Sequence, residues 1–427
     1  MVEAALLFGS LIVFIFLGVP IGIAIGLATL FNLTFISDLN PIIITQNAFA
    51  GIDSFPLLAI PFFILAGTVM QTGGIARRLL NLGSALIGTV TGGLAMITVI
   101  TSMFFAALSG SALATVSAVG SFMIPDMKEK GYDESFAAAI TAAAGTIGVI
   151  IPPSIPFVIY GVVTGTSVGD LFLAGIFPGI LIGIGLMITS YVISKKRGYV
   201  GQEINVSFNK VMKALFDAKW AIMVPLIILG GIYAGIFTPT EAAVVASVYS
   251  ILISAFVYHE LTLNSLYKAF LEAFMVNGII VFIVGLSTSF ASYLSMQQIP
   301  IKMSEALLTL TSNKFIILAL TNAILLLVGC FVDNIPATII LSPIFLPIVT
   351  KFGITPIQFG IIITYNLAIG FITPPYGQNL FVASAIGGVS IGKIFRGIIP
   401  FLFSMIIILM LLTFVPWFSV GILRLLQ

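Results

Sequence analysis

The chain has 427 residues, of which 59% are hydrophobic and only 7% charged, with a formal net charge of +2 and a mean hydropathy of +1.22. A soluble domain carries about 25% charged residues, so this composition excludes a soluble globular enzyme and describes a chain whose solvent is lipid. The near-neutral balance gives no reason to expect nucleic acid. One cysteine (Cys330) and one histidine (His259) exclude a disulfide framework, a metal cluster or a catalytic triad built on histidine.

Apolar runs recur along the whole length, and at roughly 20 residues per crossing there is room for about ten to twelve spanning or half-spanning segments. Regular alternation is absent, which argues against a β-barrel and for helices that satisfy their own backbone in the bilayer. The first run, 4–36, opens with an apolar core of signal-peptide length. Its start carries Glu3 and no Lys or Arg, and it continues through Pro20 into more membrane sequence, so it reads as a retained segment. Gly18, Gly22 and Gly26 form a tandem G-x-x-x-G stripe suited to close helix packing. A long segment at 55–72 and an amphipathic stretch at 75–88 follow.

The next stretch, GGLAMITVITSMFFAALSGSALATVSAVGSFMIP, has Ser109, Gly110 and Ser111 at its centre. Each arm is too short to span comfortably, so the pattern predicts a re-entrant helical hairpin over about 90–127, the alternative being one long kinked helix. A helix over about 134–165 is then interrupted at Pro152 and Pro153, which remove amide donors and clash with the preceding turn. The most polar part of the chain, 198–218, reads as a linker. Beyond it the plan returns: apolar runs at 219–258 and 270–296, an amphipathic stretch at 299–313, and a hairpin over about 314–349 with Asp333, Asn334 and Pro336 at its tip. A helix over about 355–386 is broken at Pro374 and Pro375. The run GGVSIGKI at 387–394 imitates a phosphate loop, but Ile394 stands where a Ser or Thr must bind Mg²⁺, so no ATP site is visible.

A single offset of 222 residues relates the two halves. It pairs Pro125 with Pro347, Pro152 with Pro374, Pro153 with Pro375 and Pro178 with Pro400, and also Gly148 with Gly370. Chance would give roughly half of one such proline pair, so the sequence predicts a duplication, with repeat 1 at 1–197 and repeat 2 at 219–427. If the first hairpin enters from the cytoplasm and the second from the opposite face, only Lys302, Lys314, Lys351 and Arg424 of the 17 basic residues lie outside. That is the distribution the positive-inside rule requires of inverted repeats joined by a cytoplasmic linker.

Breaking a helix in lipid exposes amides and carbonyls that cost several kcal/mol each unless something binds them. Half-helix N-termini suit anions, and unwound carbonyls with hydroxyls suit Na⁺, so the two hairpin tips and two breaks predict paired ion sites beside one substrate cavity. Ser109, Ser111, Gly145, Gly148 and the Pro152 region are candidates for one cation; Asp333, Gly370 and Thr373 for the other. Thr115, Asn334 and Thr338 stand at the same tips and serve either a cation or the substrate. Ser154, Tyr376, Gln378 and Asn379, just past the breaks, are further substrate candidates. Asp333 is the most informative carboxylate, an acid at membrane depth, with helix capping as its structural alternative. No Arg or Lys lies near either break, which favours a single carboxylate with many hydroxyls over a dianion.

The SGSALAT tip at 109–115, the GVIIPPSIP break, the VDNIPATIILSPIFLPI hairpin and the GFITPPYGQNLFVAS break resemble the large membrane subunit of tripartite ATP-independent periplasmic (TRAP) transporters. The likeness covers essentially the whole chain. It implies an all-α polytopic protein of the bacterial inner membrane that imports an organic carboxylate with Na⁺, sialic acid ahead of C4-dicarboxylates. Also implied are an elevator motion of a transport domain against a scaffold, a separate small four-helix membrane subunit, and a periplasmic substrate-binding protein. Competing readings are a stand-alone carboxylate carrier of the same plan and, from another class, an intramembrane enzyme or a channel.

Overall fold

A computed structural model describes residues 2–37, 39–86, 90–199, 208–310 and 313–426. Among the described residues every regular element is helical, as expected where lipid offers the backbone no hydrogen bonds. Six of the helical stretches are long and apolar enough to cross a membrane. Nine further helical stretches among the described residues are apolar but shorter, at 10–17 residues.

The chain starts with α1 (Val2–Phe16), α2 (Ile21–Phe35), α3 (Ile42–Ile52), α4 (Ala59–Thr72) and α5 (Ile75–Leu86). The apolar run 4–36 is therefore two helices packed on one another, because Gly18 takes φ +80° and Pro20 follows. Gly18 thus drops out of the glycine stripe. Gly22 and Gly26 keep the expected role: a Cβ on either would lie 3.0 Å from Ile283 or Leu286.

Next come α6 (Gly93–Ser109), α7 (Ala112–Glu129), α8 (Glu134–Gly145), α9 (Ile155–Thr164) and α10 (Val168–Arg197). Of the predicted linker 198–218, residues 200–207 lie outside the described residues, as do 87–89 and 311–312 of the amphipathic stretches. The remainder, from Phe208, already belongs to α11 (Phe208–Tyr233), a helix whose Leu215 and Phe216 are exposed.

The second half continues with α12 (Pro239–Leu252), α13 (Leu263–Met296), α14 (Ile299–Leu310), α15 (Lys314–Gly329), α16 (Asn334–Thr350), α17 (Pro356–Gly370), α18 (Gln378–Gly387), α19 (Ile391–Phe414) and α20 (Pro416–Leu426). Shifted by 222 residues, α6 to α10 fall on α15 to α19 with start points agreeing within one residue. The sequence offset is thus also an offset of elements.

The helices form two groups that share a broad boundary, where α16 packs on α13 and α14 and α6 packs on α5 and α4. One holds α1 to α5 and α11 to α14, with α4 against α12 and α13 against α2 and α3. The other holds α6 to α10 and α15 to α20. Within it the broken helices cross: Asn379 at the start of α18 meets Ala142 late in α8, and Gly387 at the end of α18 lies against Ala138, earlier in α8. As one chain advances the other retreats, so α18 runs antiparallel to α8. On the other side Tyr160 of α9 donates to the Pro356 carbonyl at the start of α17 (2.6 Å).

One end of this group is fixed by a charged corner. Asp133 caps α8 through the Phe136 N–H (2.9 Å) and the Ser135 hydroxyl, and pairs with Arg197 at 3.3 Å. Burial alone would raise the Asp133 pKa, but these hydrogen bonds and the Arg197 charge outweigh it and hold the carboxyl below its ordinary value.

Candidate functional site

The tip between α6 and α7 is a two-residue turn. Gly110 adopts φ +60°, which a side chain resists, and Ser111 caps α7 by accepting from the Ala114 N–H. Three oxygens gather there: Ser109 Oγ and Thr115 Oγ1 are 3.2 Å apart, and Thr115 donates to the Ser111 carbonyl at 2.8 Å. Opposite, α8 tightens into a 3-10 turn at Thr146–Val149 before Pro152 and Pro153, joined by a cis peptide bond. Gly148 presses its backbone onto the tip, where a Cβ would meet the Ser111 carbonyl at 2.5 Å and Thr115 Oγ1 at 2.6 Å. A Cβ on Gly145 would lie 2.1 Å from the Val116 side chain and 3.3 Å from the Ala112 carbonyl, so this glycine too sets α8 closely against α7. Ser154 caps α9 while donating to the Val149 carbonyl at 2.6 Å.

The tip between α15 and α16 repeats the plan with different side chains. Gly370 at the end of α17 meets the Gly329 main chain so closely that a Cβ would lie 2.1 Å from the Gly329 carbonyl oxygen. The Tyr376 N–H, past Pro374 and Pro375 and their cis bond, donates to the Cys330 carbonyl at 3.0 Å. Asp333 stands at the N-cap position of α16 without a side-chain capping bond and accepts instead from Gln378 Nε2 at 3.1 Å. Asn334 donates to the Thr364 carbonyl (3.2 Å) and accepts from Thr338 (3.0 Å). Thr373 donates to the Ile369 carbonyl (2.9 Å).

The candidates therefore fall into two layers. Ser111, Asp333, Thr373, Tyr376 and Gln378 retain exposed surface, whereas Ser154, Asn334, Thr338 and Asn379 are fully buried in the walls. Asn379 joins the halves: its Nδ2 donates to the Ala142 carbonyl at 3.0 Å, while its Oδ1 is buried without a partner among the described residues. A buried acceptor left open beside an unwound turn is the kind of atom that a ligand completes.

A polar wall behind the second tip was missed in the sequence reading. Asn366, one turn before Gly370, donates to Asn322 Oδ1 at 3.1 Å, and Asn322 donates to Thr413 at 2.9 Å. Gln358 donates to the Leu412 and Thr413 carbonyls. The available signal was amides inside apolar runs, which are costly unless paired or functional. Between the two helix groups, a cavity of about 640 Å³ runs among Ser54, Thr288, Ser292, Ser295 and Ile339.

The donor sets fit a hard monovalent cation. The first tip gathers the Ser109 and Thr115 hydroxyls with the Ser111 main-chain oxygen at a glycine contact, and the second supplies the Asp333 carboxylate beside the Gly329–Gly370 contact, oxygen donors of the kind that a hard cation takes. Paired short helices whose polar tips are held against broken helices are the arrangement found in multi-pass secondary transporters of the α-helical type.

The family follows from comparison. The chain belongs to the DctM component family of tripartite ATP-independent periplasmic transporters, whose family model matches residues 8–418. It is the large permease subunit type, a multi-pass protein of the inner membrane, and this sets aside the enzyme reading. The chain is 47% identical over 410 residues to the isethionate TRAP transporter permease protein DctMQ of Oleidesulfovibrio alaskensis, covering 96% of this chain and 65% of that one. It is 38% identical to the sialic acid TRAP transporter permease protein SiaT of Haemophilus influenzae, over 95% of this chain and 66% of that one. The chain thus spans about two thirds of the length of these two relatives. To the C4-dicarboxylate large permease DctM of Pseudomonas aeruginosa it is 42% identical over 86% of each chain. Among solved structures, the YdaH transporter of Alcanivorax borkumensis matches with a TM-score of 0.63 at 15% identity, covering 88% of both chains, a likeness of fold alone.

Proposed function

We propose that this permease imports a small organic anion driven by Na⁺, and that its two hairpins and two broken helices form inverted repeats enclosing the cation sites. The observation that carries the reading is the pair of glycine contacts. Gly148 and Gly370, 222 residues apart, each set the main chain of a break directly against the main chain of a hairpin tip. Interrupted backbone at this depth survives only where it is buried or lines a cavity with bound partners.

Ser109, Ser111, Thr115 and the Gly145–Pro152 turn would hold one Na⁺; Asp333, Gly370 and Thr373 would hold the other. When bound, Na⁺ supplies fixed positive charge in a site where the protein provides no Arg or Lys. The chain's own residues do the rest. Gln378 orients the Asp333 carboxylate, Asn379 ties the second break to α8 of the first half, and Tyr376 and Gln378 present polar groups to the open face. The N-termini of α9 and α18, both just past a break, would turn the positive ends of their dipoles toward an anion, although the α9 amides are themselves engaged, Ile155 by the Gly110 carbonyl and Phe157 by the Ser154 hydroxyl.

The elevator reading is supported by the two helix groups and the hydroxyl-lined gap between them. The α6–α10 and α15–α20 group would slide as a unit against α13 and its neighbours. On substrate, isethionate and sialic acid, named for two relatives, are both hydroxylated monoanions, which agrees with the lack of a fixed cation at either break. A C4-dicarboxylate is the second reading, favoured by the Pseudomonas relative. The chain would work with a small membrane subunit and a periplasmic binding protein. The test is Na⁺-gradient uptake of sialic acid, isethionate and succinate into proteoliposomes holding the permease, its small subunit and the binding protein. Uptake of a monoanion only with both partners present is expected. Uptake without the binding protein would point to a stand-alone carrier, and preference for succinate to the dicarboxylate reading.

A further inference from the structure

A second amphipathic site lies away from the hairpin tips, between α10 and α19, the last long helices of the two equivalent runs. They enclose a groove of about 680 Å³. Its lining includes Gly185, where α10 and α19 approach so closely that a Cβ would meet Ile408 at 2.5 Å, and Gly397, together with Ile184, Ile188, Phe403 and Ile407. Ile184, Ile188, Phe403 and Ile407 are all exposed. At one end the groove changes character, because Lys196, Arg197 and Arg396 line its mouth. Arg197 is engaged by Asp133 at 3.3 Å, while Lys196 and Arg396 are exposed and form no ion pair among the described residues.

The positive-inside distribution puts this mouth at the cytoplasmic headgroup level. An apolar slot running from lipid depth to a cluster of cations at that level matches one class of molecule, a phospholipid with an anionic headgroup. A soluble anion would leave the slot empty, and a zwitterionic lipid would bring a phosphate together with a cationic amine, and so no net negative charge, to Lys196 and Arg396. We infer that the α10–α19 groove binds an anionic diacyl phospholipid of the inner leaflet, its chains along Ile184, Ile188 and Phe403 and its phosphate against Lys196 and Arg396. The site joins the two halves of the hairpin-bearing group. The inference is independent of the Na⁺ sites and of the substrate.

The groove has no tryptophan of its own, since the two in the chain are Trp220 and Trp417. In a Trp220→Phe, Trp417→Phe background, Phe403→Trp places a reporter on an exposed position of the groove. The permease, with its small subunit, is reconstituted in phosphatidylcholine vesicles with about 20 mol% of brominated-chain phosphatidylglycerol or brominated-chain phosphatidylcholine; a preference of roughly fivefold for the anionic lipid is expected. Lys196→Gln with Arg396→Gln should reduce that preference to near unity, and Lys196→Gln alone, at an exposed helix end, should remove part of it. Equal quenching by both lipids, or a preference unchanged in the double variant, overturns the proposal. So does loss of the preference on adding soluble glycerol phosphate, which would assign the cations to a free anion. Absence of quenching by either lipid only when the small subunit is present would assign the groove to a protein helix and likewise overturn it.

Discussion

Asp333 concentrates the argument at the level of single residues. A carboxylate at a hairpin tip is costly in lipid unless it is paired or coordinated, and Asp333 has the neutral Gln378 amide, rather than a cation, as its side-chain partner among the described residues. Asp333→Ala is expected to lower Na⁺-driven uptake at least tenfold while leaving the amount of membrane-inserted protein unchanged, as compared by quantitative blotting of extracted membranes. Undiminished uptake with unaltered Na⁺ dependence would return Asp333 to a structural role. The sequence made Asp333 legible because an acid inside an apolar run stands out. It could not reveal Gln378 as its partner, 45 positions away, since that pairing depends on how the break folds back on the tip. At the inner corner, Asp133 titrates below its ordinary value, so its contribution to stability is full above the unfolded pKa and is lost as the pH falls through the folded one. The thermal stability deficit of Asp133→Asn should persist at about pH 5 and close only below about pH 4. A deficit independent of pH would show that its hydrogen bonds, rather than its charge, matter.

Among elements, the glycine contacts carry the fold of the site. Gly370→Ala would drive a methyl to 2.1 Å from the Gly329 carbonyl oxygen, and Gly148→Ala to 2.5 Å from the Ser111 carbonyl. Backbone neighbours cannot rotate away, so each substitution should cost about 1–3 kcal/mol or more and separate tip from break. The expected result is loss of uptake with a lowered melting temperature. By comparison, Gly165→Ala, whose Cβ meets nothing within 4 Å, should lose stability mainly through its φ of +69°. The Pro-Pro breaks were legible because proline acts locally and the offset of 222 repeats it. The glycine contacts and the Asn322, Asn366 and Thr413 wall were not, because each joins helices distant in sequence. The N-terminal run misled for a related reason. Gly18 fits a packing stripe by spacing, and only its backbone conformation shows that it ends a helix.

For the whole molecule, composition and hydropathy were enough to give an all-helical membrane protein, and motif order gave its family. Substrate was less legible, because relatives of comparable identity are named for isethionate, sialic acid and C4-dicarboxylates, and few side chains at the breaks distinguish these anions. The central claim, that the tips and breaks are completed by Na⁺, has a direct thermodynamic consequence. A ligand that binds only the folded state stabilises it by RT ln(1 + [L]/Kd), about 2.7 kcal/mol at a hundred times Kd. The decisive measurement is the melting temperature of the purified permease with its small subunit, titrated with NaCl against choline chloride at constant ionic strength. The account expects a saturable rise specific to Na⁺, reduced in Asp333→Ala and, independently, in Ser109→Ala with Ser111→Ala. Identical curves in Na⁺ and choline would contradict it.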